Sequence, residues 1–270
     1  MASLVTTAAV CATLSFVIIS DLQLTVAEET YESIASRALQ GAQSTTGLKL
    51  QGASMMSSIM SYAFPNADQW PFVALSGYTE LNKQLAAMSL SAEHGLIHVV
   101  DPARTNVTEY EAFMQAYYRD NGFEDHVGYS DFGFGVWKNS ANSTYEDGRV
   151  PDRTGDTTGA YESNYTVLTP IVEVAHKKST NMMFNTHSDE TRGTVLDSIF
   201  ECVEDQVAQN ATVVQPKCTV VTDMIKALLH LRGPAGVIYT PIYPKNDPRT
   251  VVGFTGTIIF FEQVLNDIVP

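Results

Sequence analysis

Two histidines in this 270-residue chain have the spacing of a metal-binding pair. His94 and His98 lie four residues apart, which on a helix would place two imidazole ligands on one face. Gly95 and the apolar residues after it favour a strand instead. Imidazoles four residues apart on a strand share a face, but they lie too far apart to chelate an ion without a third ligand. We therefore expect no metal site at this pair.

A second set of acid–base residues lies in a segment rich in glycine. Asp125, His126 and Asp131 stand close to three glycines, so a solvated turn explains them more simply than a catalytic cluster. His187 comes just before two acidic residues, whose carboxylates suit the start of a helix. The sequence shows no serine, histidine and aspartate in a recognisable triad and no nucleotide-binding or hydrolase motif. It therefore predicts a protein that is not an enzyme and that holds no metal or cofactor.

The elements that would position these side chains begin with one long helix. Apolar or small residues recur three or four positions apart from Val26 to Ala63, and no proline interrupts them. This pattern predicts a stalk helix over about 21–64, weakened by three glycines. Its stripe of methionines suits packing in a core or in a dimer. The stripe leaves both roles open.

Helices and strands alternate after Pro65, within a domain predicted over 65–270. Periodicity predicts helices at 76–90, 108–119, 188–207 and 222–231. Runs of β-forming residues predict strands at 95–100, 167–174, 236–243 and 250–261. The polar stretch 138–164 is too long for an ordinary connection and is predicted to be a mobile surface insertion. The fold class predicted is α+β, with helices packed on a predominantly antiparallel sheet.

The charge balance restricts the partners. The chain has 16 Lys and Arg against 30 Asp and Glu, a formal net charge of -14. A surface of this sign repels a phosphate backbone, so nucleic acid is excluded as a partner.

The N-terminal segment and the glycosylation sequons predict the compartment. Residues 2–20 carry no charge and include a strongly apolar run, which is typical of a signal-peptide core or a signal anchor. We favour the anchor, although no basic residue precedes the run. Four sequons follow, at Asn106, Asn142, Asn164 and Asn210. The sequence thus predicts a single-pass protein of the cell membrane whose residues from about 21 onward lie on the extracellular or luminal side.

Two cysteines remain outside the apolar N-terminal run. Cys202 and Cys218 would form a disulfide in an oxidising compartment and close a loop of about 16 residues. The alternative is a pair of reduced, buried thiols.

Several motifs, taken in their order along the chain, resemble a known family. They are WPFV at 70–73, YTVLTPIV at 165–172, DETRGTVLDSI at 189–199, GPAGVIYTPIYP at 233–244 and VVGFTGTIIFFEQVLNDIVP at 251–270. After an apolar N-terminus and a long helix, this order resembles the CHASE domain, the ectodomain of receptor histidine kinases and nucleotide cyclases. The resemblance covers about residues 26–270 and is strongest to membrane nucleotide cyclases of diatoms and related algae.

The resemblance implies a PAS-like sensor that is held outside the membrane on the long helix, as a homodimer through that helix. Such a sensor binds a small molecule and relays its occupancy to a cyclase or kinase. Ligand would bind between the sheet and its adjoining loops. Strand alternation and the loop at 181–187 give the candidates Val172, Val174, Met183, Phe184, Ile238, Thr240 and Gly253. Ordinary sheet core is the alternative for each of them. Ligand would then shift the last strand and the segment Phe261–Ile268 relative to the long helix.

Family members continue beyond the point that corresponds to Pro270 with a further module, a membrane helix and an enzyme. This chain is therefore expected to be either a sensor fragment of such a receptor or a free-standing, secreted or anchored binding module. An extracellular hydrolase is the third alternative, and it would require a site that the sequence does not display.

Overall fold

The computed structural model describes residues 2–125, 127–130, 133–139, 151–152, 163–175, 177, 179, 181–209, 217–223 and 235–262. The chain divides into two compact units, one of which contains the residues up to Thr45 and the other Thr46–Gln263. The second unit contains the sheet and the site described below.

The first helix is longer than predicted. It runs without a break over Ala2–Ala63 and is named α1. The expected boundary near residue 20 between anchor and stalk is therefore not a break in the helix, and the glycines do not interrupt it. Among the side chains that the structure describes, no helix is long and apolar enough to cross a membrane.

The other predicted helices and strands that the structure describes lie close to their predicted positions, and five two-residue strands were not predicted. The helices are α2 (Tyr78–Ser89), α3 (Val107–Asp120) and α4 (Glu190–Gln209), with short 3-10 turns at Ala67–Gln69 and Thr186–Ser188. The strands are β1 (Glu93–His98), β2 (Tyr129–Ser130), β3 (Gly133–Phe134), β4 (Lys138–Asn139), β5 (Pro151–Asp152), β6 (Ile171–Glu173), β7 (Val220–Val221), β8 (Ala235–Ile242) and β9 (Gly253–Phe260). The predicted helix at 222–231 falls almost wholly outside the described residues, as does most of the predicted insertion at 138–164.

One five-stranded sheet organises the second unit. Its strand order is β6-β1-β9-β8-β7, and every neighbouring pair is antiparallel. β8 and β9 pair along their whole length, from Ala235 opposite Phe260 to Ile242 opposite Gly253. The predicted α+β class with an antiparallel sheet and a long N-terminal helix is confirmed.

The strand predicted at 167–174 is shorter in the structure, where β6 begins at Ile171. Pro170 has no N–H to donate to the ladder. The N–H of Thr169 donates to the side-chain oxygen of Asn185 at 2.8 Å instead of to a neighbouring strand. Only isolated bridges at Leu168 and Pro170 therefore extend this edge of the described sheet.

Helices cover both faces of the sheet. The C-terminal part of α1, with α2 and α3, lies on one face, and Met56 and Met60 of α1 are fully buried in the core there. α4 covers the other face through Leu196, Ile199 and Val203. The methionine stripe of α1 thus packs largely into the core of its own chain.

The contact of α1 with α2 depends on a glycine. A Cβ atom at Gly52 would lie 2.5 Å from the Cβ of Ser89, closer than side chains approach each other. Beside it, the buried ammonium group of Lys49 donates to the carbonyl oxygen of Leu90. The two helices therefore meet at a point where only a residue without a side chain fits.

A disulfide fastens α4 to the edge of the sheet. The structure joins Cys202 to Cys218, 16 positions apart, with their Cα atoms 5.9 Å apart. A loop of this length closed by a disulfide is worth roughly 3 kcal/mol to the free energy of unfolding in the chain-entropy model. Two of the sequon asparagines, Asn106 and Asn164, are exposed, while Asn142 and Asn210 lie outside the described residues.

Candidate functional site

A pocket opens on the sheet face that α4 covers, above the centre of β1, β9 and β8. Its cavity volume is about 70 Å³, small beside the roughly 300 to 1,000 Å³ of pockets that hold drug-sized molecules. Pockets for small molecules are mostly apolar with a few polar groups. This pocket has that character, since it is lined by Glu93, Gly95, Ile97, Ile171, Val174, Ser179, Asn181, Arg192, Val237, Tyr239, Gly256 and Ile258.

Two glycines form the floor of the pocket. Gly95 of β1 and Gly256 of β9 lie directly opposite each other, so both would project a side chain toward the same face. A Cβ atom at Gly95 would have no neighbour closer than 3.7 Å. One at Gly256 would meet the side chains of Ile97, Tyr239 and Val237 at 3.4 Å. The space therefore exists because both residues lack a side chain.

A buried arginine supplies positive charge to the pocket. Arg192 lies in the first turn of α4, where its backbone N–H donates to the carboxylate of Asp189 at 3.1 Å. Its side chain is 3% exposed, and the guanidinium lies 5.5 Å from the centre of the Phe184 ring. Arginine stays protonated even when buried. The pocket lining therefore includes a permanent positive charge.

A glutamate also lines the pocket. Glu93 begins β1, and its side-chain oxygen accepts a hydrogen bond from the backbone N–H of Ala175 at 2.5 Å. The pocket lining therefore includes one basic and one acidic residue.

The strands beneath the pocket are bonded to α1 on their other face. The hydroxyl of Ser57 donates to the carbonyl oxygen of Pro241 in β8 at 2.7 Å. The hydroxyl of Thr255 in β9 donates to the carbonyl oxygen of Ala53 at 3.2 Å. All four residues are buried. β8 and β9 therefore contact the pocket with one face and the long helix with the other.

Of the seven ligand candidates predicted from the sequence, the pocket includes Val174. Ile238 and Thr240 lie on the α1 side of β8, while Val237 and Tyr239 line the pocket in their place. The sequence could not indicate which face of β8 lines this pocket, because β8 is buried on both sides and its residues show no apolar and polar alternation.

The other candidates have structural surroundings. Val172, Met183 and Phe184 are buried in the core cluster, and Phe184 approaches the pocket through its contact with Arg192. Gly253 lies where a Cβ atom would be 2.6 Å from the carbonyl oxygen of Ile97, so its lack of a side chain permits close strand packing.

The charged and glycine residues of the pocket were missed as ligand candidates. A glycine inside a strand pattern is a sign of close approach or open space, and Gly95 and Gly256 both carry that sign. Nothing in the sequence pairs them, because their pairing follows from the β1–β9 register. Arg192 belongs to the motif DETRGTVLDSI at 189–199, but it becomes a pocket residue only because α4 packs on the sheet.

The histidine pair is buried and uncharged at neutral pH. The ring of His94 contacts the hydroxyls of Thr257 at 2.7 Å and Ser89 at 3.2 Å, and burial lowers its pKa to about 4. Burial lowers the pKa of His98 to about 3, and its ring nitrogen lies 3.2 Å from the hydroxyl of Tyr110. Both imidazoles therefore serve packing and hydrogen bonding between layers.

No group of three or more His, Cys, Asp or Glu within the described part of the chain has the arrangement of a metal site. Asp125 is exposed, and its predicted neighbours His126 and Asp131 lie outside the described residues. His187 contacts the carboxylate of Asp197 at 2.7 Å, a pair that joins the loop before α4 to that helix.

A buried carboxyl group lies near the sheet edge, on the side of α2 and α3. Glu173 is 1% exposed and accepts a hydrogen bond from the hydroxyl of Tyr117 at 2.8 Å. Burial raises its pKa to about 8, against the opposing effects of that hydrogen bond, a backbone hydrogen bond at Leu75 and the charge of Lys177. The buried hydroxyl of Tyr118 donates to the carbonyl oxygen of Val172 beside it. This carboxyl is therefore largely protonated at neutral pH.

Comparisons with known proteins give little beyond the fold. No protein-family model matches the sequence. No curated protein matches it either. Among solved structures, the chain is similar to the periplasmic sensory domain of the Campylobacter jejuni chemoreceptor Tlp1, with 12% identity and a TM-score of 0.42. The match covers 87% of this chain and 62% of that one, so this chain spans less than two thirds of its length. A likeness this low supports no functional argument, and the function has to be argued from the pocket.

Proposed function

We propose that this chain is the ligand-sensing domain of a membrane receptor. It binds a small molecule in the pocket above the Gly95–Gly256 pair and transmits occupancy through α1. The output is a nucleotide cyclase or histidine kinase that is not part of this sequence, as the CHASE resemblance implies. The observation that carries the proposal is that β8 and β9 line the pocket with one face and hydrogen-bond to α1 with the other.

The mechanism follows from these contacts. A ligand held between α4 and the sheet changes the position of the strands that form the pocket floor. Ser57 and Thr255 link those strands to α1 through buried hydrogen bonds. Protein interiors are close-packed, so a displacement of the strands is passed to the helix packed on them. The ligand shifts the equilibrium by the difference in its affinity for the two positions.

Three features support an extracellular or luminal location. The Cys202–Cys218 disulfide is typical of an oxidising compartment. The sequon residues Asn106 and Asn164 are exposed and accessible to glycosylation. The uncharged segment 2–20 at the start of α1 is proposed to hold the chain at the membrane.

The N-terminal part of α1 is proposed to pair with the same helix of a second copy. Leu24, Tyr31 and Ile34 each expose more than half of their side-chain surface. With Ala27 and Ala38 they follow an alternating spacing of three and four residues, the pattern of a coiled-coil seam. Pairing would bury this apolar stripe, and it would place two sensor units side by side.

The test of sensing uses a small-molecule screen by thermal shift on the complete chain. A ligand present at 100 times its Kd stabilises the folded protein by about 2.7 kcal/mol. For a unit of this size, that raises Tm by roughly 5 to 10 °C. Gly95→Val places a side chain in the pocket, where its Cβ would meet no atom closer than 3.7 Å, and should abolish the shift. Gly236→Ala, in β8 but outside the pocket lining, is the matched control and should retain it.

Hydrogen exchange then tests transmission. Ligand should change the exchange of α1 amides around Ala53 and Ser57 in the wild type and leave them unchanged in Gly95→Val. A ligand that stabilises Gly95→Val as much as the wild type would contradict the pocket assignment. Binding without any change in α1 would indicate a binding module without output.

A further inference from the structure

We propose that protonation of Glu173 keeps the pocket closed, and that loss of this proton lets the end of β6 move away from β1 and widen the pocket. The inference concerns the regulation of the pocket and rests on the proposed sensing function. It follows from the size of the cavity, from the bonding of β6 and from the buried carboxyl group on that strand.

The pocket has to widen before it can hold a ligand of ordinary size. Its cavity volume is about 70 Å³, whereas drug-sized molecules occupy roughly 300 to 1,000 Å³. Three of the strands that line the pocket, β1, β9 and β8, each have a strand bonded on both sides. β6 is an edge strand of the described sheet, and its neighbour Val174 lines the pocket. The wall that can move at least cost is therefore the one that β6 continues into.

The start of β6 is fixed on the side away from β1. The N–H of Ile171 donates to the carbonyl oxygen of Phe184 at 3.0 Å. The carbonyl oxygen of Ile171 accepts from the N–H of Met183 at 2.7 Å. These two hydrogen bonds hold Ile171 to the loop before α4, so a movement of β6 begins after this residue.

The residues that follow are bonded more weakly to the sheet. Glu173 lies opposite Leu96 of β1, and the register of this pair of strands is irregular just after Leu96. The N–H of Ala175 donates to the side chain of Glu93 and not to the backbone of a strand. Residues 172–175 can therefore separate from β1 while the start of β6 stays in place.

A carboxyl group decides whether this separation is favourable. Glu173 is 1% exposed, and the hydroxyl of Tyr117 donates to it at 2.8 Å. Burial raises its pKa from 4.5 to about 8, because a charged carboxylate is poorly solvated there. Once 172–175 move outward, the side chain meets water and ionises like an ordinary glutamate. Between pH 4.5 and 8, each unit of pH thus favours the open arrangement by up to about tenfold.

The groups around this carboxyl leave it as the one that titrates in this range among the described residues that act on it. Three tyrosines of α2 and α3 have their pKa values raised by burial and stay neutral; they are Tyr78, Tyr117 and Tyr118. The hydrogen bond from Tyr117, a backbone hydrogen bond at Leu75 and the charge of Lys177 lower the pKa of Glu173, against the larger effect of burial. On β1, the carboxylate of Glu93 acts on Tyr78, and His94, with a pKa of about 4, is neutral above pH 5.

A groove beside the carboxyl can receive it in the open arrangement. This second cavity, of about 620 Å³, lies on the side of α2 and α3 and is lined by Tyr117, Ala175 and Lys177 among others. Since Tyr117 is the hydrogen-bond donor to Glu173, the carboxyl lies directly behind the groove. The exposed ammonium group of Lys177 supplies a positive charge there for the ionised carboxylate.

Hydrogen exchange on the complete chain without ligand, between pH 5 and 9, tests the proposal. Protection factors are used, since they are corrected for the intrinsic effect of pH on amide exchange. For the amides of 172–175, the protection factor should fall roughly 400-fold between pH 5 and 8 and then become constant. Adding about 0.5 M urea should not change these values, because a local opening exposes little surface. The amides of Ile171 and of β8 should be better protected and should respond to urea.

Three variants assign the effect to Glu173. Glu173→Gln should make the protection of 172–175 independent of pH. Glu201→Gln, at an exposed glutamate of α4, is the matched control and should behave like the wild type. Tyr117→Phe removes a hydrogen bond that favours the ionised form, so its protection factor should level off at a higher pH than in the wild type. A purely structural role of Tyr117 would not move that pH. The wild-type measurement stands even if one variant fails to fold.

The outcomes separate this regulation from sensing itself. If 172–175 lose protection only together with β8 and with the same urea dependence, β6 does not open separately and the proposal is wrong. A fall with pH that persists in Glu173→Gln would assign the effect to another group and would likewise overturn it. If the opening behaves as expected but no compound in the screen gives a shift that Gly95→Val abolishes, sensing fails and the pH-dependent opening stands.

Discussion

Replacing Glu173 by glutamine should change how the stability of this protein depends on pH. The carboxyl group is buried, and the hydroxyl of Tyr117 donates to it. Burial raises its pKa from 4.5 to about 8. Two buried tyrosines nearby, Tyr78 and Tyr118, have their own pKa values raised by burial and by this carboxylate, so they stay neutral. Glu173→Gln keeps the shape of the side chain and removes the titration.

The sign follows from the direction of the shift. The pKa of the folded state lies above that of the unfolded state, so the folded protein binds the extra proton between pH 4.5 and 8. The contribution of the Glu173 carboxyl to the free energy of unfolding is complete below pH 4.5, and it is lost as pH rises to 8. The two pKa values differ by 3.5, which at about 1.4 kcal/mol for each pH unit corresponds to a loss of about 5 kcal/mol.

Urea unfolding of both proteins between pH 5 and 9 measures this effect. The free energy of unfolding of the wild type, minus that of Glu173→Gln, should fall by about 4 kcal/mol between pH 5 and 8. Above pH 8 the difference should become constant. His94 and His98 act in the opposite direction, because their lowered pKa values cost stability as pH falls below 6.5. Their effect is the same in both proteins and cancels. A difference that does not change with pH would show that Glu173 is ionised in the folded protein, and would refute the reasoning.

Two further predictions concern close packing and assembly. Gly253→Ala should lower the free energy of unfolding by roughly 1 to 3 kcal/mol, because its Cβ would lie 2.6 Å from the carbonyl oxygen of Ile97. Gly47→Ala, in α1 with open space around it, should raise the free energy of unfolding by about 0.5 to 1 kcal/mol in the same urea experiment. Equal effects of the two substitutions on that free energy would contradict the packing argument. Ile34→Asp should convert a dimer to a monomer in sedimentation equilibrium, since Ile34 is 58% exposed on the proposed seam. Leu39→Asp, at a residue that is 61% exposed and lies outside the seam, is the control. A dimer that survives Ile34→Asp would exclude this seam.

Local sequence patterns predicted most of the fold. The β-forming runs that became β8 and β9 and the periodic runs that became α2, α3 and α4 were placed within about three residues of their observed bounds. These elements depend on neighbouring residues, which the sequence shows directly. β6 was overestimated at its start because Thr169 bonds to Asn185, a residue that chain folding brings beside it.

The pocket could not be predicted in the same way. Gly95 and Gly256 are far apart in the sequence, and they become a floor only through the register of β1 on β9. Ile238 was assigned to the ligand side because a strand buried on both faces gives no sign of which face meets a ligand. The sequence contains these glycines and the arginine, but it does not show that they line one cavity. That follows only from the packing of the strands and of α4.

The glycine at the crossing of α1 and α2 also limits how the long helix can move. Successive residues of an α-helix are rotated by about 100° about its axis. If α1 turned in place, Gln51 or Ala53 would swing toward Ser89, where no side chain fits beside the Cβ of that residue. Rotation of α1 about its own axis relative to α2 is therefore blocked where the two helices cross. Any movement of α1 that a ligand causes must then carry α2 with it.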